Sequence, residues 1–289
     1  MFDLHVHTTG SDGDLDPIQI IEKAEQVGLE YIAITDHDTV SSLGQCIEEG
    51  KKRNITVIPG VELSIEYKGG IMHILGYGID PKNELLISTL KQTRSAVLGR
   101  NEKILQILER EGVPVTLEEV KACSDGPNIR RPHIALAMVN RGYVKDVDEA
   151  FDRYLASEEI INIQRYKLSA KEAIDLVKQA GGITVLAHPN SLKLNEEQLI
   201  KKLEELKSYG ISGIEAYHYS HSESETKLYK ELAERFNLIC TCGSDYHGIS
   251  VKPEVELGKG KNNNIPTDNN EIVLKLIEKL NSMKEMLYY

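Results

Sequence analysis

Histidine and carboxylate residues gather at the ends of predicted strands. The chain has nine histidines, and six of them lie at strand ends or in the loops that follow: His5, His7, His37, His73, His188 and His247. Three carboxylates share this kind of position, namely Asp12, Glu62 and Asp245. Because the carboxyl ends of parallel strands in an α/β barrel meet at one face, residues far apart in sequence are expected to converge there. Imidazole and carboxylate groups together favour a site for divalent metal ions.

Spacing supports this interpretation in two places. His5 and His7 are two residues apart on a predicted strand, so both imidazoles point to the same face and can reach one cation. Asp245 and His247 have the same spacing. Taken alone, each pair is a common pattern and indicates metal binding only weakly.

Each residue also has an ordinary structural interpretation. His37 could be a loop residue that hydrogen-bonds its neighbours, His188 a satisfied histidine at a strand end, and His73, inside an apolar run, a neutral core histidine. Glu62 could form a simple salt bridge. These interpretations do not hold together, because burying so many polar groups at one barrel mouth without cations would cost roughly several kcal/mol for each group.

Short β-branched runs alternate with amphipathic stretches, which is typical of parallel strands joined by helices. The predicted strands cover residues 2 to 6, 30 to 35, 55 to 62, 71 to 77, 183 to 187, 213 to 216 and 238 to 242. Asp38 or Thr39 is expected to cap the helix after the second strand. Residues 85 to 160 show only helical patterns, far longer than a normal crossover. We therefore predict a barrel from residues 1 to 84 and 161 to 289, with a helical insertion domain at 85 to 160.

Composition and charge limit the class of protein, its compartment and its partners. Hydrophobic residues make up 40% of the chain and charged residues 27%, which are ordinary globular values. No secretory signal or bilayer-spanning run is visible, and the four cysteines match no disulfide framework, so we expect a cytoplasmic protein with no membrane partner. The net charge of −11 disfavours long duplex nucleic acid, so phosphate must be recognised locally. The sequence does not predict an oligomeric state.

Several motifs occur in a fixed order along the chain. They are His5-Val6-His7, Asp12, Thr35-Asp36-His37, Pro59-Gly60-Val61-Glu62, His73, Ala187-His188-Pro189 and Ser244-Asp245-Tyr246-His247. This order resembles the PHP (polymerase and histidinol phosphatase) superfamily over nearly the whole chain. The insertion segment Arg130-Arg131-Pro132-His133 is similar to the stand-alone, TrpH-like phosphoesterases of that superfamily. The resemblance implies a distorted (β/α)₇ barrel with a trinuclear metal site.

The resemblance also implies a ligand set for about two to three divalent ions. The implied ligands are His5, His7, Glu62 and Asp245 for the first ion, Glu62, His73 and His188 for the second, and Asp12, His37 and His247 for the third. Mn²⁺ or Fe²⁺ best fits this nitrogen and oxygen set, with Zn²⁺ and Mg²⁺ as competitors. A hydroxide bridging two ions at Glu62 would attack phosphorus, and no separate protein nucleophile is needed.

Other residues are candidates for contact with the substrate or the ligands. Arg131 and His133 of the insertion, and more weakly Arg165, could hold a second phosphate, although arginines at helix starts are commonly just solvated. His218 and His221 also follow a strand end. They could donate hydrogen bonds to substrate, protonate a leaving oxygen or simply belong to a polar rim. Asp36 could accept a hydrogen bond from a metal-bound imidazole or could cap a helix.

The function that the resemblance implies is hydrolysis of nucleotide phosphomonoesters. Nucleoside 3′,5′-bisphosphates and short 5′-phosphorylated RNA are the expected small phosphorylated substrates. One alternative is a histidinol phosphatase or another small phosphomonoesterase, because a fold does not settle a substrate. Another is an inactive barrel with a structural or regulatory role, which the complete ligand set argues against.

Overall fold

Seven strands form one sheet in the order of the sequence in the computed structural model, which describes residues 1–124, 129, 131–163 and 166–286. The strands are β1 (Phe2–Val6), β2 (Tyr31–Ile34), β3 (Thr56–Ser64), β4 (His73–Tyr77), β5 (Ile183–Leu186), β6 (Gly213–His218) and β7 (Ile239–Gly243). Neighbouring strands are parallel except around β4, which is antiparallel to both β3 and β5. A bridge between Val6 and Tyr246 brings the two edges together. The result is the nearly closed, distorted α/β barrel that the sequence predicts.

Helices connect the strands and fill the insertion. They are α1 (Pro17–Gln26), α2 (Leu43–Lys52), α3 (Glu84–Arg110), α4 (Leu117–Ala122), α5 (Arg131–Asn140), α6 (Val147–Ala150), α7 (Glu158–Ile161), α8 (Ala170–Gln179), α9 (Glu196–Tyr209), α10 (Glu223–Phe236) and α11 (Glu271–Met286). Asp16 and Gln19 close a capping box at the start of α1, and Ser222 and Glu225 do the same for α10. The predicted cap of α2 was wrong: Ser42 precedes that helix, and the Asp38 carboxylate instead accepts a hydrogen bond from the backbone of Ser64.

The barrel has a hydrophobic core. Apolar side chains from most strands pack together with α11, including Leu4, Leu75, Val185 and Leu276. On β1, Leu4 belongs to this core, whereas the adjacent residue His5 contacts candidate ligands. The pairing of β1 with β2 is irregular between Asp3 and Val6, the stretch that contains both residues.

The chain divides into two compact units. One comprises Met1–Ser88 and Lys167–Tyr289, and the other comprises Thr89–Tyr166. The second unit has its own hydrophobic cluster, in which Leu108, Ile134 and Met138 are buried. Within the described residues, no helix combines the length and the apolar character needed to cross a membrane.

Candidate metal centre

Glu62 is the central carboxylate of the site. It lies on β3 and is completely buried, and its Oε2 is 3.2 Å from Nε2 of His5 and 3.2 Å from Nε2 of His7. Nδ1 of His37 lies 3.1 Å from the same oxygen. A local bridge between residues 37 and 62 extends the pairing of β2 with β3 and places His37 there. Three imidazoles from two strand ends therefore meet one carboxylate oxygen.

The second oxygen of Glu62 faces another pair of histidines. Its Oε1 lies 2.7 Å from Nδ1 of His73, at the start of β4, and 2.9 Å from Nε2 of His188, just after β5. The two ring nitrogens are 3.3 Å apart. Glu62 thus lies between two groups of nitrogen donors, with one carboxylate oxygen facing each group.

Asp245 approaches the first group from the loop after β7. Its Oδ1 is 3.5 Å from Nε2 of His5, 3.2 Å from Nε2 of His7 and 3.4 Å from Nδ1 of His247. Asp245 has φ of 53° and His188 has φ of 24°, in a region that non-glycine residues rarely adopt. Such backbone strain tends to occur at functional sites, where the surroundings hold it in place.

Asp12 lies close to a third group of histidines. Its carboxylate lies 3.5 Å from Nε2 of His247, 3.7 Å from Nδ1 of His7 and 4.0 Å from Nε2 of His37. The structure therefore brings all nine sequence-predicted ligands together at one end of the barrel.

The arrangement of the donor atoms suits coordination of metal ions better than hydrogen bonding among the side chains themselves. In the group of His5, His7, Glu62 and Asp245, one ligand atom from each residue lies within 4.8 Å of all the others. Nε2 of His5, Nε2 of His7 and Oε2 of Glu62 are buried and make no hydrogen bond despite their proximity. Leaving such atoms unsatisfied is costly, whereas a divalent cation would satisfy several of them at once.

The buried carboxylates and histidines of the site shift one another's pKa values in the direction that favours positive charge beside Glu62. Burial raises the pKa of Glu62, but His37, His73 and His5 outweigh burial and hold the pKa well below its usual value. Burial lowers the pKa of His7, yet Asp245 and Glu62 raise it to about 9. A divalent cation would compete with protons for these nitrogen atoms.

Glu215 is a member of the site that sequence reasoning missed. Nδ1 of His5 donates to its Oε1 over 2.9 Å, and the backbone N–H of His188 donates to its Oε2 over 2.8 Å. The carboxylate thereby fixes the orientation of two candidate ligands. The available signal was a lone charged residue between Ile214 and Ala216 in the strand predicted over residues 213 to 216.

Asp36 acts on a candidate ligand through an intermediate residue. Its carboxylate accepts hydrogen bonds from Thr8, Ser11 and Ser42. The hydroxyl of Ser11 lies 2.6 Å from Asp36 and 3.4 Å from Nδ1 of His7. Asp36 therefore organises the loop after β1 and reaches the imidazole through Ser11 rather than directly.

Lys252 is a second residue that the sequence did not reveal. Its Nζ lies 2.5 Å from Oδ2 of Asp245 and 4.9 Å from the centre of the Tyr219 ring. The ammonium thus contacts Oδ2 of Asp245, whereas Oδ1 is the oxygen that faces His5, His7 and His247. This ammonium places a fixed positive charge beside the candidate ligands.

The structure describes three of the four predicted substrate residues, Arg131, His133 and His221. Arg131 begins α5, where it contacts the carbonyl of Leu155 and the ring of Phe151 within its own unit, and His133 is half-buried on the same helix. Arg165 lies outside the described residues. His221 is buried, with Nδ1 donating to the carbonyl of Ala216, and burial lowers its pKa to about 4.

This barrel, with nitrogen and oxygen donors converging at one end, defines a class: the protein is a metal-dependent phosphoesterase. More particularly, the chain belongs to the PHP domain family, whose sequence profile matches residues 3–279.

Characterised relatives share most of their length with this chain. It is 31% identical over 246 residues to a 3′,5′-nucleoside bisphosphate phosphatase of Chromobacterium violaceum, covering 85% of this chain and 86% of that protein. It is 30% identical over 261 residues to the 5′-3′ exoribonuclease Rnm of Escherichia coli, with 90% and 88% covered. It is 32% identical over 253 residues to a phosphoribosyl 1,2-cyclic phosphate 1,2-diphosphodiesterase of Eggerthella lenta, with 85% and 94% covered.

Solved structures share the fold. An amidohydrolase from Chromobacterium violaceum, with bound sulfate and no metal, superposes with a TM-score of 0.79 at 28% identity, covering 98% of this chain and 96% of that one. A candidate metal-dependent phosphoesterase from Bifidobacterium adolescentis gives 0.77 at 29% identity, with 96% and 95% covered.

Proposed function

We propose that the protein hydrolyses phosphomonoesters of nucleotides, with nucleoside 3′,5′-bisphosphates as the main substrate class and short 5′-phosphorylated RNA as a related one. The observation that carries this proposal is the convergence of buried, unsatisfied donor atoms around Glu62. The names of two relatives, a nucleoside bisphosphate phosphatase and an exoribonuclease, support the substrate class.

We propose the three ion positions that the resemblance to the superfamily implies. We assign His5, His7, Glu62 and Asp245 to the first, Glu62, His73 and His188 to the second, and Asp12, His37 and His247 to the third. His37 also lies close enough to Glu62 and His73 to share an ion with them. Divalent ions bound there would lower the pKa of water and stabilise negative charge on phosphoryl oxygens. Mn²⁺ or Fe²⁺ suits the donor set best, and Zn²⁺ and Mg²⁺ are the competitors.

The residues of the chain have supporting roles in this scheme. Glu215 keeps the Nδ1 proton on His5, which leaves Nε2 with a lone pair for a cation. Lys252 holds one oxygen of Asp245, so the other faces the histidines. No serine or cysteine nucleophile is required, because attack on phosphorus depends mainly on positioning.

Arg131 and His133 are the proposed contacts for a second phosphate group. Arginine suits phosphate oxygens because its planar guanidinium offers two parallel donors. Arg131→Ala should then raise KM for a bisphosphate and leave KM for a simple monoester such as p-nitrophenyl phosphate unchanged. Equal losses on both substrates would refute this role.

A substrate panel tests the proposed specificity. It compares adenosine 3′,5′-bisphosphate, short 5′-phosphorylated RNA, histidinol phosphate and p-nitrophenyl phosphate with the metal-loaded protein. We expect the highest kcat/KM for the bisphosphate. A preference for histidinol phosphate by tenfold or more would contradict the proposed substrate class but not the reaction.

A second candidate activity is cleavage of a cyclic phosphodiester on a ribose. The relative named as a phosphoribosyl cyclic phosphate diphosphodiesterase is 32% identical and covers 85% of the chain, so it favours this activity as a specific alternative. Adding a ribose 1,2-cyclic phosphate to the panel distinguishes the two activities, because its hydrolysis opens a ring before any phosphate is released.

A further inference from the structure

Histidine rings at the candidate metal centre differ in whether Nε2 presents a lone pair or an N–H group to it. Nδ1 of His5 lies 2.9 Å from a carboxylate oxygen of Glu215, and Nδ1 of His247 lies 2.9 Å from the backbone carbonyl of Asp245. Both partners only accept hydrogen bonds, so each Nδ1 carries the proton. In the neutral ring, Nε2 then keeps the lone pair that a metal ion requires.

His218 has the opposite arrangement. The backbone N–H of Ser220 donates to Nδ1 of His218 over 3.2 Å, so this nitrogen is an acceptor. The hydroxyl of Ser220, which accepts from the side-chain amide of Asn190, lies 2.8 Å from the same nitrogen and can donate to it as well. In the neutral ring the proton therefore lies on Nε2. Only 4% of His218 is exposed, and its Nε2 is buried without a hydrogen-bond partner. Unlike His5 and His247, His218 presents a buried N–H donor.

This donor faces the candidate centre because β6 is irregular. The pairing of β6 with β7 shifts between Glu215 and Tyr217, so one extra residue is inserted at Ala216. Residues three apart in a regular strand point to opposite faces, but the bulge lets Glu215 and His218 point to the same one. One ligand atom each from His5, Glu215 and His218 accordingly lie within 4.8 Å of one another.

The nearest acceptor is already engaged. Nε2 of His218 is 3.4 Å from Oδ2 of Asp245, a separation at which a hydrogen bond is at most weak. That same oxygen lies 2.5 Å from the ammonium of Lys252. Lys252 therefore neutralises the negative charge of Asp245, and the N–H of His218 remains available for another oxygen.

We propose that His218 is a substrate-binding residue rather than a metal ligand: its Nε2–H donates a hydrogen bond to a phosphoryl oxygen of the ester bound at the candidate metal centre. This inference rests on the proposed phosphoesterase function. A fixed donor in a water-poor site stabilises the negative charge that develops on such an oxygen, and no proton is transferred. His218 would thus be the protein's own donor beside the metal ions.

Two substitutions separate this role from the alternatives. In His218→Asn the side-chain oxygen can still accept from Ser220, but no donor reaches the Nε2 position. In His218→Gln the longer amide can place an N–H near that position. Metal content and the affinity for inorganic phosphate, measured by calorimetry on the metal-loaded protein, are compared with kcat/KM for adenosine 3′,5′-bisphosphate.

We expect H218N to keep the wild-type metal content while phosphate affinity falls at least tenfold and kcat/KM falls about 10²-fold. H218Q should recover most of both losses. A loss of bound metal in H218N would instead identify His218 as a ligand. Unchanged phosphate affinity and kcat/KM would show that it does not bind substrate. Either result would overturn the proposal.

A measurement on the wild-type protein covers the case in which a variant does not fold. The ¹⁵N shift of His218 Nε2, in histidine-labelled protein loaded with diamagnetic Zn²⁺, should change when inorganic phosphate is added. An unchanged shift at saturating phosphate would overturn the proposal. Failure of the proposed function is a separate result, since the wild-type protein would then bind no metal or release no phosphate.

Discussion

Nζ of Lys252 lies 2.5 Å from Oδ2 of Asp245, so one loop supplies both a candidate metal ligand and the cation that orients it. Simple electrostatics predicts that removing this positive charge would strengthen the binding of divalent cations. If Lys252 mainly orients Asp245, its removal should weaken binding instead. We predict that Lys252→Met binds Mn²⁺ about tenfold more weakly in a chelator competition titration. Lys252→Arg is the matched control and should stay near wild type. Tighter binding by Lys252→Met would contradict the orienting role.

Glu62 should be the least replaceable carboxylate, because both of its oxygens face candidate ligands. Glu62→Gln keeps the shape but replaces one oxygen with an amide that cannot bind a cation. We expect kcat to fall at least about 10³-fold, because the ions supply several kcal/mol of stabilisation, and at least one metal equivalent to be lost. Glu66→Gln alters an exposed glutamate just after the same strand and should change neither quantity. Wild-type metal content in Glu62→Gln would refute the shared-carboxylate assignment.

Glu215 should affect metal affinity or kcat/KM, although we assign no ion to it. In Glu215→Gln only one side-chain atom can accept, so either the Nδ1–H of His5 or the backbone N–H of His188 loses its partner. We predict a loss of about 10- to 100-fold in metal affinity or in kcat/KM. The control is Glu234→Gln on α10, an exposed site. A Glu215→Gln protein with wild-type metal affinity and kcat/KM would show that orienting these two histidines is unimportant.

His221 should make folding stability depend on pH. Burial lowers its pKa from 6.5 to about 4, so between these values the unfolded chain binds a proton that the folded protein excludes. Stability is therefore complete above pH 6.5 and is lost as the pH falls towards 4. At pH 5 this amounts to about 2 kcal/mol.

Urea unfolding of wild type and His221→Gln at pH 7 and pH 5, both with chelator, isolates this contribution. The other titrating groups are common to the two proteins and cancel in the comparison. The free energy of unfolding of wild type should drop by about 2 kcal/mol more than that of the variant. Equal drops would show that His221 is not held neutral by burial.

Periodicity and strand position were sufficient to predict the barrel and the convergence of nine side chains. His5 and His7 share a face because strands repeat every two residues, and Asp245 meets them because strand ends converge. Neither rule depends on detailed packing.

The parts that sequence reasoning missed depend on local irregularities. Glu215 was missed, and it points to the same face as His218, which the sequence did single out, only because of a bulge in β6 that alternation cannot reveal. Lys252 reaches Asp245 because Asp14 accepts hydrogen bonds from the backbone and hydroxyl of Ser250 and so fixes the loop. At Gly248, with φ of 96°, any side chain would collide with Asp14. Such contacts follow from the three-dimensional packing of loops.

The central claim is that phosphoester hydrolysis here depends on bound divalent ions. The most direct test measures phosphate release from adenosine 3′,5′-bisphosphate in the same sample before chelation, after chelation and after reconstitution with Mn²⁺, with bound metal quantified by mass spectrometry at each step. We predict about two to three bound ions, loss of hydrolysis when they are removed, and its return with them. Full hydrolysis by folded, metal-free protein would contradict this account.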